Sequence, residues 1–192
     1  MKKFQSIKKQ RGNAMLALIA SVVLGAIIAA FAIPKIDGIL TEAKVEPVSS
    51  DIQRWVTRVK VSNSGTGTQP YVGLTQASFA QAMRNTSLEV GTIAGQGTGG
   101  TVVRHGMGGG NDGTVVVGQT GTAFSLTFND VDLAACPSLA TSLQRAFQDI
   151  TVNGQAVKVT ATNGTVTTAY NAGTAATRCN DGSDNVFVFT SR

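Results

Sequence analysis

"QRGNAMLALIASVVLGAIIAAFAIPKI", Gln10 to Ile36, joins a basic start to a long apolar run. Lys2, Lys3, Lys8, Lys9 and Arg11 come first, then Gly12 and Asn13, and the sequence is uninterruptedly apolar from Ala14 to Ile33 apart from Ser21 until Pro34 closes it. As a helix, the 20-residue run spans about 30 Å, the thickness of a bilayer's hydrocarbon core. A secretory signal has an apolar core of roughly 7–15 residues followed by a small-x-small site in more polar sequence. Here the helical pattern continues beyond the apolar part. The clustered Lys and Arg keep the N-terminus cytoplasmic and place the remainder on the other side of the membrane. Taken alone, this stretch is also compatible with a plain membrane anchor.

Charge elsewhere is balanced. The chain has 16 Lys and Arg against 11 Asp and Glu, a net +5, and the five basic residues before Gly12 account for the whole excess. The sequence pI near 9.5 therefore reports an orientation signal. It gives no reason to expect nucleic-acid binding by the rest of the chain.

Past Pro34 the pattern stays helical and becomes one-sided. Val45, Val48, Ile52, Trp55, Val56 and Val59 recur at spacings of three and four, while Asp51, Gln53, Arg54, Arg58 and Lys60 occupy the other faces. The spacing predicts an interrupted helix over 13–62, about 75 Å long, apolar over 14–33 and amphipathic over 45–60. Pro34 and Pro47 are expected to bend or loosen it, since proline removes a backbone donor. "VSNSGTGTQP", Val61 to Pro70, ends it. A solitary anchor has no need to run without a linker into a packed amphipathic helix.

Residues 63–192 read as a head domain, with patterned sequence from 71 onward, about 120 residues and large enough for its own core. "LTQASFAQAMRNT" predicts a short helix capped by Thr75, with Leu74, Phe79, Ala82 and Met83 inward. "SLEVGTIAG" predicts a strand, and the glycine-rich Gly95–Gly113 a long mobile surface loop. "TVVVGQTGTAFSLTFNDV" predicts two strands around Gln119–Gly121. "CPSLATSLQRAF" predicts a helix opened by Pro137 with Leu139, Leu143, Ala146 and Phe147 on one face. "ITVNGQAVKVTATNGTVTTAY" holds two Asn-Gly pairs between β-formers, a hairpin signal, and "NVFVFTSR" predicts a buried final strand. The fold class is α+β: a long N-terminal helix on a head with a mainly antiparallel sheet.

Candidate sites are few. "GQGTGG" at Gly95–Gly100 fits G-x-G-x-x-G, but no helix follows it, so loop flexibility explains it better than a dinucleotide. His105 is the single histidine and is expected to be exposed, with no partner for metal or nucleophilic chemistry. Cys136 and Cys179 are the only cysteines; an even count in an exported domain favours a disulfide, the alternative being two buried thiols. The bridge would close a loop of about 44 residues, worth roughly 4 kcal/mol by chain entropy. "NTS" at Asn85 and "NGT" at Asn163 match a glycosylation pattern, though Asn163-Gly164 is better read as a tight turn. No paired carboxylates, Ser/His/Asp set, phosphate loop, metal cluster or cofactor site can be assembled, so no catalytic residue is expected.

Together these features resemble a type IV pilin and, within that family, the type IVb pilins, notably the PilS-like major pilins of plasmid-type thin pili. The resemblance rests on the leader "MKKFQSIKKQRG", the apolar helix, Pro34 22 residues after Gly12, "CPSLATSLQRAFQDITVNGQAVKV", and the closing "TRCNDGSDNVFVFTSR". It implies a leader over 1–12, removed by a prepilin peptidase between Gly12 and Asn13, with the new N-terminus usually methylated. It also implies storage in the inner membrane with the head in the periplasm. An assembly ATPase, an inner-membrane platform and an outer-membrane secretin would then deliver a homopolymeric extracellular pilus for adhesion or conjugative contact. Leu16, Leu18, Val22, Val23 and Pro34 would pack in the filament core. One position departs from the pattern: most pilins have glutamate at the fifth mature position, where this chain has Ala17, and no acidic residue precedes Asp37. A minor pilin or secretion pseudopilin at a filament tip is the alternative within the class. Outside it, a membrane-anchored periplasmic binding protein would need the flexible linker that is missing here.

Overall fold

The computed structural model describes residues 13–64, 67–92, 101–108 and 113–192. Gly12 and the 95–100 motif lie outside them, as do the side chains of Asn13 and Pro34. The chain divides into two compact units between Gly38 and Ile39.

The first unit holds most of α1, Asn13–Ala43, a 31-residue helix. Its backbone is helical on both sides of Pro34. The interruption instead falls at Lys44, before α2, Val45–Asn63. Pro47 accounts for the position, because its ring collides with the carbonyl four residues earlier, and that residue is Ala43. Lys44 fills the gap, donating its N–H to Thr41 O (3.2 Å) and accepting from Val48 N (3.3 Å).

In the second unit α2 lies across the head. Its buried residues are Val45, Val48, Ser49, Ile52, Trp55, Val56 and Val59, the predicted stripe with one serine added. Each large side chain removed from water contributes about 1.5–3 kcal/mol. Trp55 meets Phe79 and Phe124 edge-on, with centroids 4.8 and 5.6 Å apart. Phe124 also contacts Tyr71 and Phe147, and Phe147 contacts Phe189, so an aromatic chain crosses the core from helix to sheet.

After α3, Gln76–Met83, come strands β1, Glu89–Thr92, and β2, Thr101–Arg104, paired as a separate antiparallel ribbon. Thr75 caps α3 as expected: its side chain accepts from Ser78 N while Ser78 Oγ accepts from Thr75 N. The main sheet contains β3, Val115–Gln119; β4, Phe124–Val131; β5, Asp149–Val152; β6, Gln155–Thr160; β7, Val166–Thr168; and β8, Asn185–Ser191. Their spatial order is β3-β4-β8-β5-β6-β7, with every pairing antiparallel. The last strand is thus inserted between β4 and β5. Phe187 lies opposite Phe128 and Val152, and Phe189 opposite Leu126 and Ile150. All six are fully buried. Their common inward face is the sheet's half of the core.

Helix α4, Cys136–Leu143, has proline in its first turn. It stops before the predicted Phe147: Ala146 N turns back to Leu143 O (3.0 Å), and lysines satisfy the carbonyls beyond, Lys158 Nζ donating to Gln144 O (2.6 Å) and Phe147 O (2.7 Å) and Lys60 Nζ to Ala146 O (3.0 Å). Burial, the main cause, pushes both amines below the usual lysine range. The first Asn-Gly pair turns through φ of 50° and 76°, values that suit Asn and Gly in a two-residue hairpin. A short helix, α5, Ala172–Ala176, is capped by Asn171 and carried no sequence signal strong enough to read.

Candidate functional site

The surface most open to function is α1. Every side chain from Met15 to Ala29 is exposed. Leu16 and Leu18 are each 66% accessible, Val22 64% and Val23 52%. A helix that is apolar on all sides is ordinarily enclosed by protein or lipid. Ser21, the one hydroxyl among these residues, donates to Leu18 O at 2.9 Å, so it does not interrupt the apolar character with an unsatisfied group. Among the described residues no helix is long and apolar enough to cross a membrane; the described side chains of the run stop at Ala29, before its end at Ile33.

The head's own notable feature is a clasp around its C-terminal segment. Cys136 and Cys179 are joined by a disulfide, linking the start of α4 to the chain entering β8. Asn185, fully buried at the head of β8, extends that link. Its amide donates to Val131 O (3.0 Å) and Asn180 O (3.1 Å), and its carbonyl accepts from Asn180 N (2.6 Å) and Asn153 Nδ2 (2.9 Å). Asn153 in turn donates to Arg178 O and accepts from Val186 N. The sequence marks Asn153 only as a turn residue; its second role, holding the disulfide loop to the sheet, depends on contacts distant in sequence.

The long mobile loop expected over Gly95–Gly113 does not hold at 101–108. Residues 101–108 are ordered, containing β2 and the buried Val103, His105 and Met107. His105 is 1% exposed, not on the surface. Its Nδ1 accepts from Met107 N (3.0 Å), which leaves Nε2–H to donate to Asn129 O (2.8 Å). The ring is therefore neutral. Burial is the main cause holding its pKa below the ordinary histidine value, with Lys44 acting in the same direction; the bond to Asn129 and the nearby Asp130 act in the opposite direction. Glycine permits this packing: a Cβ at Gly113 would sit 2.5 Å from His105 Cε1. The same composition that reads as mobility here serves close approach.

Chemistry is sparse. Among the described residues no group of three or more His, Cys, Asp or Glu could hold a metal ion. The features that dominate are an exposed apolar helix, a packed antiparallel head and a disulfide.

Comparison with known proteins gives the family. The model described as PilS N terminal matches residues 96–192, just over half of the chain. The chain belongs to that family, with a type IV pilin-like fold. Among solved structures it is similar to "Crystal structure of type IV b pilin from Salmonella typhi", with 20% identity, a TM-score of 0.48, and coverage of 73% of this chain and 95% of that one. No curated protein matches.

Proposed function

We propose that this chain is the prepilin of a type IVb-like pilus, with its first 12 residues as leader. A prepilin peptidase cuts between Gly12 and Asn13 on the cytoplasmic side, and the new amine is methylated. The apolar stretch 14–33 holds the subunit in the inner membrane with the head in the periplasm. The assembly ATPase and platform then move it into a homopolymer that leaves through the outer-membrane secretin, for adhesion or for conjugative contact of the thin-pilus kind.

The supporting observation is the all-round exposure of Met15 to Ala29. Leu16, Leu18, Val22 and Val23 would exchange lipid for the same helices of neighbouring subunits, so little apolar surface meets water during transfer. Pro34 would lie in the same core. Intact-mass analysis of the surface-exposed chain is the test. A chain starting at Asn13, with or without one methyl group, is expected; one starting at Met1 or cut beyond Ile33 would remove the prepilin reading.

Ala17 favours a second reading, a minor pilin or secretion pseudopilin at the filament tip. Glutamate in mid-membrane costs about 2.5–3.5 kcal/mol on insertion scales, and alanine avoids that cost while leaving a neighbour's N-terminal ammonium without a partner. The abundance of the chain in sheared filaments separates the two readings: a major subunit dominates the mass, whereas a tip protein is a trace component.

A further inference from the structure

Two surface grooves along α2 differ in charge. Beside α4, a groove of about 410 Å³ is lined by Glu42, Ala43, Val45, Glu46, Ser138 and Ser142. Glu42 and Glu46 are exposed. Glu42 accepts from Ser138 Oγ at 3.0 Å, a neutral partner that leaves its charge uncompensated. The nearest cation in sequence, Lys44, is turned away to donate to Gly106 O at 2.9 Å. This end of the α4-facing side is acidic, while the other end of the same side carries Lys60 and Arg145.

Beside α3, a smaller groove is lined by Asp51, Arg54, Trp55, Arg58, Ala82, Met83 and Thr86. Asp51 is committed within the head, accepting Ser87 N at 2.8 Å and Ser87 Oγ at 2.7 Å. Arg54 touches it at 3.4 Å, but the Arg54 side chain is 74% exposed. Arg58 is exposed and forms no ion pair among the described residues. With two arginines against one engaged carboxylate, this flank is basic.

We propose that the Glu42/Glu46 flank of one copy docks against the Arg54/Arg58 flank of a second copy of this chain. Charge complementarity selects the partner, and the placement of the patches selects the geometry. Glu46 and Arg58 are 12 residues apart on α2, which is about 18 Å along the helix axis and about 120° around it. Two unlike patches displaced in this way form a head-to-tail contact rather than a self-complementary one, and such a contact repeats as an open helix. The head thus sets the axial stagger and rotation between neighbours, while non-directional apolar packing of α1 supplies cohesion. This inference rests on the polymer reading given above and adds to it the head surface that fixes register.

Charge reversal in the full-length chain, expressed in a filament-forming host, tests it. Glu46→Arg or Arg58→Glu alone should lower sheared-filament yield by roughly fivefold or more, since each exposed pair is worth up to about that factor and the contact recurs at every subunit. The double variant, with the charges exchanged, should recover most of the loss. Both positions are exposed, so the head should stay folded in all three, with only a small drop in thermal midpoint where Glu46 is lost from the first turn of α2, separating docking from folding. A complementary experiment places Cys at both 46 and 58: oxidised filaments should give a ladder of covalent multimers that neither single Cys variant gives. A double reversal no better than the worse single one, or single reversals with normal yield, would overturn the docking surface while leaving the polymer reading intact. Failure of the wild-type chain to form or enter filaments would overturn both.

Discussion

Helices α1 and α2 follow one another with a single residue between them, yet their apolar side chains meet opposite fates. From Met15 to Ala29 those of α1 are exposed on every side. In α2, Val45, Val48, Ile52, Trp55, Val56 and Val59 are buried to 7% exposure or less. The difference is one of angular distribution. A stripe at spacings of three and four is satisfied by one sheet, whereas a helix apolar all round needs surroundings on every side. The lesson is that α2 completes its packing within the chain and α1 does not.

The sharpest way to break that contrast is a charge in α1. Leu18→Asp should abolish filament formation, because an unpaired carboxylate is costly both in the bilayer and in a bundle of helices. The same variant should leave the head's thermal midpoint and its disulfide intact. Normal filaments from Leu18→Asp would show that this segment is not the polymer's core.

A matching large-to-small change in α2 should act the other way. Trp55→Ala removes the ring that bridges Phe79 and Phe124, and should destabilise the head by about 3–5 kcal/mol. Denaturant unfolding of the purified protein would measure it. A loss below about 1 kcal/mol would mean that α2 is less integral to the head than its burial indicates.

Cys179→Ser should cost roughly 4 kcal/mol through the freed loop between α4 and β8. Hydrogen exchange would localise the effect, with faster exchange expected at 177–186 than in α3. The hydrogen bonds of Asn185 to Val131 and Asn153 should keep β8 in register even in the variant.

The smallest effect concerns pH. His105 is buried, neutral and held below its ordinary pKa chiefly by burial, so the unfolded chain binds its proton more readily than the folded one. Stability from this group is complete above the unfolded value, about 6.5, and falls as pH drops from there toward the depressed folded value. Protonation would also set a second N–H against Met107 N and a positive ring near Lys44. Thermal midpoints between pH 8 and 5 should decline in the wild type and decline less in His105→Gln. Parallel curves would remove His105 as the cause.

Much of this architecture is legible from short stretches of sequence. The α2 stripe, the Thr75 cap, Pro137 in the first turn of α4 and the hairpin at Asn153-Gly154 all follow from side-chain periodicity or from φ preferences within a few residues. The cysteine pair is legible too, as an even count in a chain whose basic and apolar start reads as an export signal. Such features are local, and local chemistry is what a sequence displays directly.

Other features depend on residues brought together from far along the chain. The insertion of β8 between β4 and β5 requires Phe187 and Phe189 to find partners on both edges, and alternation within "NVFVFTSR" cannot name those partners. The break at Lys44 reflects the reach of the Pro47 ring to Ala43, in competition with a helical backbone that tolerates Pro34 ten residues earlier. His105 is the clearest case: surrounded by glycines it reads as exposed, yet Asn129, Met107 and Gly113 enclose it. Glycine has no side chain to announce whether it frees the backbone or lets another element approach, and only long-range packing distinguishes the two.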